Sequence, residues 1–209
     1  DGQSVYSSRV RAGSILAEKY PVDADLVIGV PESGLAAAVG YSQGSNIPYG
    51  MAFYKNSYVG RTFIKPKQNE RTAGVQAKLN VIRDVVKGKR VVMVDDSIVR
   101  GTTIRNIVKM LKDAGALEVH VRISSPPFKH PCYYGTDVPS SENLVAVNNT
   151  IDEIKESINA DSLGFLDIED LGQLCPGLDY CDACFTGKYA GGIPSDPSKT
   201  NSCSSKIVL

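Results

Sequence analysis

Apolar residues occur along this chain in two patterns, short unbroken runs and longer stretches with helical spacing. Unbroken apolar runs are typical of parallel strands that are covered on both faces. We predict such strands at residues 24–30, 47–54, 91–94 and 119–123. Helical spacing predicts helices at residues 5–20, 35–39, 74–86, 104–111 and 150–160. The alternation predicts an α/β fold, in which a central, mostly parallel sheet is flanked by helices.

The last quarter of the chain has a different composition. Thr150 and Glu153 have the spacing of a capping box at the start of a polar helix, and 163–174 is a short apolar patch. From Gly187 onward, Gly, Pro, Ser, Lys and Asn dominate. We therefore expect a core at 1–150, a helical and irregular extension of the same domain at 151–189, and a flexible tail at 190–209.

The most informative segment follows the strand at 91–94. Asp95 and Asp96 come next, and a small-residue loop, 97–103, then opens a helix. Unpaired N–H groups at a helix start favour a phosphate. Since carboxylates repel a phosphate that touches them, a sugar between the two resolves the conflict: its hydroxyls bind the acids while its phosphate binds the loop. We therefore interpret residues 95–103 as a binding site for ribose 5-phosphate, which we call the ribose-5-phosphate cradle.

A simpler interpretation of this segment is an acidic strand end before an ordinary helix that Ser97 or Thr102 caps. It explains the hydroxyl residue but leaves the paired acids without a role.

Another strand–loop–helix unit comes earlier in the chain than the one that contains the acid pair, Asp95 and Asp96. The strand at 24–30 runs into Pro31, Glu32, Ser33 and Gly34, and small residues then begin a helix. Because parallel strands gather their carboxyl ends at one edge, this loop should lie beside the acid pair. Taken alone, a plain turn would have the same sequence.

Charge and hydropathy exclude several classes of function. Twenty-three basic and 23 acidic residues cancel, so no overall basic field attracts nucleic acid or an anionic membrane. No apolar run reaches the length of a membrane span, and the first residues lack a signal-peptide pattern. We expect a soluble, cytoplasmic protein. The chain begins without Met, and we expect it to be a piece of a longer polypeptide.

The segment VVMVDDSIVRGTT resembles the phosphoribosylpyrophosphate (PRPP) signature of the type I phosphoribosyltransferases. The resemblance implies that fold, and it implies a role for each matching residue. Ser33 and Gly34 would bind the pyrophosphate. Asp95 and Asp96 would bind the ribose hydroxyls and, on the ribose side, Mg²⁺. The 5-phosphate would be held by Ser97, Arg100, Gly101, Thr102 and Thr103.

The segment KNSYVGRTFI, which starts at Lys55, is similar to the flexible catalytic loop of the glutamine PRPP amidotransferases. In that family the loop closes as a lid, so Lys55, Tyr58 and Arg61 would be catalytic. Downstream residues 70–71, 74–75 and 78–80 continue the match. A solvated surface loop with its cations in water is the alternative.

The amidotransferase resemblance implies a reaction. PRPP and ammonia would give 5-phosphoribosylamine and pyrophosphate, with purine nucleotides as inhibitors. The family's amino-terminal glutaminase, which supplies the ammonia, has no counterpart in these residues, and a homo-oligomer (dimer or tetramer) is implied for the full-length enzyme. Two alternatives remain: a phosphoribosyltransferase acting on a purine or pyrimidine nucleobase, and a non-catalytic sensor of PRPP or nucleotides.

The cysteines suggest a metal. Four of the five lie near the carboxyl terminus: Cys175, Cys181, Cys184 and Cys203. The C-x-x-C spacing of Cys181 and Cys184 suits zinc, iron–sulfur or an oxidoreductase pair, and the oxidoreductase lacks its usual strand context. One branch of the amidotransferases carries a [4Fe–4S] cluster, whose ligands would here be Cys132, Cys181 and Cys184, with the fourth upstream of residue 1. Cys175 is near enough in sequence to substitute for the fourth ligand, although no motif assigns it. Reduced thiols without a cluster are the alternative.

Overall fold

The computed structural model describes residues 2–55, 79–136, 138 and 140–194. The strands are β1 (Leu26–Gly29), β2 (Phe53–Lys55), β3 (Leu79–Val81), β4 (Arg90–Asp95), β5 (Glu118–Ile123) and β6 (Ser162–Phe165). The helices described are α1 (Val5–Lys19), α2 (Leu35–Ser45), α3 (Arg83–Val86), α4 (Thr102–Asp113), α5 (Val145–Asn148), α6 (Ile151–Ile158), α7 (Leu171–Leu174) and α8 (Ala183–Thr186), with a 3-10 turn at Ile168–Asp170.

The main sheet has four parallel strands in the order β1-β4-β5-β6. Gly29, the last residue of β1, pairs with Val94, and Asp95 at the end of β4 pairs with Ile123 at the end of β5. The strands therefore end at one edge, as predicted, and the loops that follow them are neighbours.

Residues of the central strands alternate between two hydrophobic layers, because successive strand side chains point to opposite faces. Ile28 and Met93 belong to the layer with α4 and α6. Val27 and Val92 belong to the layer with α1 and α2. Both layers exclude water, which explains the unbroken apolar runs of β1 and β4 and confirms the predicted fold class.

The predicted helix at 74–86 is wrong over its described part. Residues 79–81 form β3, which pairs antiparallel with β2, and only Arg83–Val86 is helical. Leu79 is buried and Asn80 is exposed, and this alternation is typical of a strand and not of a helix. The predicted strand at 47–54 is shorter than expected: Tyr49 makes an isolated parallel bridge to Val27, and β2 begins at Phe53.

The region after residue 150 contributes to the sheet. Thr150 and Glu153 form the predicted capping box at the start of α6. The patch predicted at 163–174 contains β6, which the sequence analysis did not identify as a strand and which completes the sheet beside β5. Lys19 at the end of α1 forms salt bridges of 2.6 Å with both Asp167 and Asp170. Residues 151–170 are therefore packed on the sheet and on α1.

Candidate functional site

The two predicted phosphate and sugar loops meet at the carboxyl edge of the sheet. The amide of Val30 donates to the carbonyl of Val94 at 2.9 Å, which extends the pairing of β1 and β4. A Cβ placed on Gly34 would lie 2.5 Å from the Val94 carbonyl oxygen and 3.0 Å from the Asp95 Cα. Only a glycine allows this approach. The structure thus brings the 31–34 loop directly against the acid pair.

The two acids differ in environment. Asp95 is buried, with 8% of its surface exposed, whereas Asp96 is exposed. The Asp96 amide donates to the Asp95 Oδ1 at 2.8 Å. Burial and the neighbouring Asp96 charge raise the pKa of the Asp95 carboxyl well above its ordinary value. Within the described ranges neither carboxylate forms a salt bridge, so hydroxyl donors or a cation would stabilise both.

The start of α4 is open to an anion. Its N-cap is Gly101, with φ of 77°, and no side chain caps the helix. Because this φ lies in the left-handed region, glycine suits the position. The alternative that Ser97 or Thr102 caps the helix is therefore wrong. Thr102 and Thr103 are exposed in the first turn. Unpaired amides at a helix start are suited to binding a phosphate.

The 97–103 loop is held in place by the hydrophobic core and by a hydrogen bond from α5. Ile98 is buried at 3% exposure, and the Val99 carbonyl accepts a 2.9 Å hydrogen bond from the Val145 amide of α5. Arg100 is exposed. The anchored residues hold the loop, and the exposed Arg100 side chain is left accessible to a ligand.

A cavity of about 350 Å³ opens at the carboxyl ends of β5 and β6. Pro126 and Pro127 form one wall, just after Ser124, whose amide donates to the Asp95 carbonyl at 2.9 Å. The other walls come from the segment after β5, from α5, α6 and the residues between them, from α8 and from the segment after β6: Lys129, Ala146, Asn149, Thr150, Ile151, Leu166, Asp167, Ile168, Glu169 and Phe185. The cavity is thus on the side of the acid pair opposite β1. The sequence analysis did not identify it, since no motif marks it.

Lys55, the last residue of β2, reaches the 31–34 loop. Its Nζ forms a 2.9 Å salt bridge with Glu32 Oε1. The structure therefore brings together one predicted lid cation and the predicted pyrophosphate loop, where Ser33 is half-buried. Tyr58 and Arg61 lie outside the described residues. Glu32 was not predicted as a site residue, and only its position beside Ser33 could have indicated it.

The cysteines predicted as cluster ligands lie close together. Burial, with Cys132 and Cys181 nearby, raises the pKa of the Cys184 thiol to about 12. Burial acts the same way on Cys132, but amide donors from 134–136 outweigh it and lower the pKa of that thiol to about 7. Cys175 is elsewhere, 3.8 Å from the Ser8 hydroxyl. Among described residues, no group of three or more His, Cys, Asp and Glu could hold a metal ion.

His120 is a buried strand residue and not part of the candidate site. It is buried in β5, and its ring contacts Ser162 at 3.0 Å and Glu118 at 2.9 Å. Burial lowers the pKa of His120, so the ring is held neutral, away from the acid pair.

In the described part of the chain, no helix is both long and apolar enough to cross a membrane.

Comparison with protein-family models matches residues 11–134 to the phosphoribosyl transferase domain. The matched range contains the 31–34 loop, Lys55, the acid pair and the 97–103 loop. It therefore covers the whole predicted PRPP site.

Curated relatives are amidophosphoribosyltransferases. The relative from Synechocystis is 54% identical over 195 residues, which are 92% of this chain and 39% of the relative. The relative from Bacillus subtilis is 52% identical over 203 residues, 94% of this chain and 42% of the relative. The chain thus spans about two fifths of the length of these relatives.

Two solved structures are similar over nearly all of the chain. One, described as the allosteric regulatory enzyme of purine biosynthesis, has a TM-score of 0.83 and 52% identity and covers 94% of this chain and 44% of its own. The other is the glutamine PRPP amidotransferase from B. subtilis complexed with ADP and GMP, with a TM-score of 0.81 and 52% identity. The match covers 91% of this chain and 43% of the B. subtilis chain.

Proposed function

Because the chain belongs to the phosphoribosyl transferase domain family, we propose that it is the domain that converts PRPP and ammonia to 5-phosphoribosylamine and pyrophosphate. The observation that carries the proposal is the meeting of the 31–34 loop, the acid pair and the uncapped start of α4 at one sheet edge. Together these features match the pyrophosphate, ribose and 5-phosphate of one PRPP molecule. The similarity to amidophosphoribosyltransferases favours ammonia over a nucleobase as acceptor.

The site would bind PRPP at three points. The exposed amides of the α4 start and the hydroxyls of Thr102 and Thr103 bind the 5-phosphate. Asp95 and Asp96 accept hydrogen bonds from the ribose hydroxyls. The 31–34 loop binds the pyrophosphate through Ser33 and the backbone. Ser97 and Arg100 complete the 5-phosphate contacts from the loop between the acids and the helix.

Reaction at C1 requires that the bond to the pyrophosphate oxygen break while a bond to nitrogen forms. The pyrophosphate leaves with the bonding electrons, and positive charge develops on C1 and the ring oxygen. The fixed charges of Asp95 and Asp96 stabilise that cation, and Lys55 stabilises the leaving group. Ammonia donates its lone pair to C1 and afterwards loses a proton to water, so no dedicated base is required.

The geometry also favours a direction of attack. The leaving group lies on the β1 side, above the 31–34 loop. Ammonia would then approach from the β5 side, where the Ser124 amide donates to the Asp95 carbonyl. Such in-line positioning would lower the barrier in addition to the electrostatic stabilisation.

Mg²⁺ is the metal that the family's chemistry implies, and the acid pair fits it. Carboxylates and ribose hydroxyls are hard oxygen ligands, and Asp95 is a buried carboxyl without a cationic partner in the described ranges. When bound, Mg²⁺ would neutralise charge on the leaving pyrophosphate. The chain's own contribution is to hold the ribose hydroxyls and the phosphates in place.

The remaining roles are proposals from the resemblance. Tyr58 and Arg61 would close over the pyrophosphate and exclude water. In the longer protein, a glutaminase region would supply ammonia, purine nucleotides would compete for the ribose-5-phosphate cradle, and the subunits would form a dimer or tetramer. The relative complexed with ADP and GMP supports the nucleotide proposal.

A [4Fe–4S] cluster fits the described cysteines poorly. Cys132 and Cys184 are adjacent, but they do not form a metal-binding group with Cys181. No step of the proposed reaction involves this region. Iron and sulfide analysis of protein purified without oxygen tests the cluster: stoichiometric iron and sulfide supports it, and their absence supports reduced thiols.

The test of the proposed reaction is a pyrophosphate-release assay with PRPP, Mg²⁺ and ammonium at alkaline pH, where free ammonia is abundant. We expect release that depends on both PRPP and ammonium. The variant Asp95→Asn with Asp96→Asn should lose release and PRPP binding while its circular dichroism stays unchanged.

Three outcomes would contradict the proposal. Release that depends on an added nucleobase would favour a nucleobase phosphoribosyltransferase. PRPP binding without release under any acceptor would favour a sensor. A double variant that binds PRPP normally would remove the acid pair from the ribose site.

A further inference from the structure

The salt bridge between Glu32 and Lys55 joins two segments that the proposed reaction uses differently. Glu32 lies in the loop assigned to the pyrophosphate, one residue before Ser33. Lys55 ends β2, where the described part of the chain stops before the predicted lid. Their 2.9 Å contact places an anionic carboxylate on the cation that would neutralise the pyrophosphate.

The contact is well placed for exchange with a ligand. The Glu32 side chain is 76% exposed and that of Lys55 is 41% exposed, so neither is fixed by packing. Their backbones, in contrast, are anchored: Lys55 pairs with Leu79 across β2 and β3, and the Glu32 carbonyl accepts a 3.4 Å hydrogen bond from the Leu35 amide of α2. Side chains can therefore swing while the loop and strand stay in place.

The energies allow the exchange. An exposed salt bridge contributes little, because water screens both charges. A phosphate oxygen carries at least as much charge as a carboxylate and binds a lysine as a point charge. Pyrophosphate at the 31–34 loop would therefore compete effectively for Lys55, and Glu32 would reclaim the lysine when the pyrophosphate leaves.

We propose that Glu32 is a positioning residue that holds Lys55 at the pyrophosphate loop in the absence of substrate and competes with pyrophosphate for it. This inference rests on the proposed function, since it requires that the 31–34 loop bind pyrophosphate. It adds a role that the PRPP signature does not include, and it predicts that binding of the pyrophosphate moiety opposes this contact.

A double-mutant cycle in PRPP binding tests the proposal. Glu32→Gln keeps the shape of the side chain and removes its charge, and Lys55→Met removes the cation. Calorimetry with PRPP and Mg²⁺ should show that Glu32→Gln tightens binding by roughly two- to fivefold, the range expected for an exposed salt bridge. In the Lys55→Met background the same substitution should change affinity little, because the competition is already gone.

Two controls separate this effect from general electrostatics. Ribose 5-phosphate lacks the pyrophosphate, so its affinity should be the same in wild type and Glu32→Gln. Glu156→Gln removes the charge of an exposed acid on α6, away from the loop, and should leave PRPP affinity unchanged.

Each remaining outcome decides the question. Unchanged or weaker PRPP binding by Glu32→Gln would overturn the inference while wild-type binding of PRPP and ribose 5-phosphate still supports the proposed function. A tightening that persists with Lys55→Met would also overturn it, since simple repulsion by Glu32 would explain the result. If a folded wild-type chain binds neither ligand, the proposed function fails and this inference fails with it.

Discussion

At the residue scale, the buried charge of Asp95 lowers the stability of the folded chain, whereas the same charge favours the proposed binding of PRPP. It is a buried carboxyl at the end of a buried strand, and burial together with the Asp96 charge raises its pKa well above the ordinary value of 3.8. The folded chain therefore holds this proton more tightly than the unfolded chain does. Stability from this group is fully present below pH of about 4 and is lost as the pH rises through the folded pKa.

Asp95→Asn should therefore stabilise the ligand-free chain at neutral pH and weaken PRPP binding. The amide keeps the acceptor for the Asp96 N–H but carries no buried charge. Thermal unfolding across pH should show a higher Tm than wild type at neutral pH, with the gap closing toward pH 4. PRPP affinity should fall about tenfold or more, since a charge-assisted hydrogen bond is lost.

The control for that prediction is Asp179→Asn, the same substitution at an exposed acid. It should change neither Tm nor PRPP affinity. A Tm of Asp95→Asn that is lower than wild type at every pH would mean that the charged form of Asp95 is stabilised in the folded chain, contrary to its environment.

At the scale of elements, α1 and α2 approach so closely that glycine is required between them. A Cβ placed on Gly40 would lie 1.8 Å from the Val10 carbonyl oxygen, and one on Gly13 would lie 1.8 Å from the Ala37 carbonyl oxygen. One turn further along α2, a Cβ on Gly44 would meet the Ala17 Cβ at 3.1 Å. Backbone contact at the first two positions holds both helices against the β1 and β4 face of the sheet.

Gly40→Ala should destabilise the chain, whereas Gly44→Ala should have a small effect. Overpacking against backbone costs about 1–3 kcal/mol or more, because the helices must separate. At Gly44 the gain in helix propensity, about 1 kcal/mol, offsets the tighter contact. Urea unfolding of both variants measures the difference, and equal stabilities would show that the helix pair adjusts without cost.

At the scale of the whole molecule, residues 151–170 are part of the same folding unit as the sheet. Ile154 and Ile158 of α6 are fully buried in the layer that contains Met93 and Ile107. β6 pairs along β5, and Lys19 joins α1 to Asp167 and Asp170. Because these contacts cross the predicted boundary at 150, we expect one cooperative unfolding transition.

Ile154→Ala should lower the free energy of unfolding of the entire chain by about 2–5 kcal/mol, as expected for a large-to-small change in a core. Ile151, on the same helix, is 40% exposed, so Ile151→Ala is the matched control and should change stability little. Near- and far-UV circular dichroism should give coincident transitions. A separate early transition in Ile154→Ala would show that residues 151–189 unfold on their own.

Much of the architecture could be predicted from local pattern. The runs at 24–30 and 91–94 indicated buried parallel strands, and the capping box located the start of α6. Errors arose where short segments satisfied two patterns. Residues 79–81 suited a helix or a strand, and pairing with β2 decided between them. The patch that contains β6 is short, and only the free edge of β5 makes it a strand.

The sequence by itself determined the class of fold and the family, and it predicted the chemistry of the site. The prediction of a ribose phosphate came from an acid pair between a buried strand and a helix start, since a sugar separates the carboxylates from the phosphate that they would repel. The family resemblance rested on that same order of residues, and the match of residues 11–134 to the phosphoribosyl transferase domain confirmed it.

Only the tertiary structure decided which distant residues meet. The approach of Gly34 to Asp95, the contact of Glu32 with Lys55 and the uncapped start of α4 each depend on how strands and helices pack. Spacing along a chain cannot specify such contacts, since they join segments that the sheet brings together. The physical reason is that burial and charge proximity are properties of the packed molecule, and both set how Asp95 and Lys55 behave.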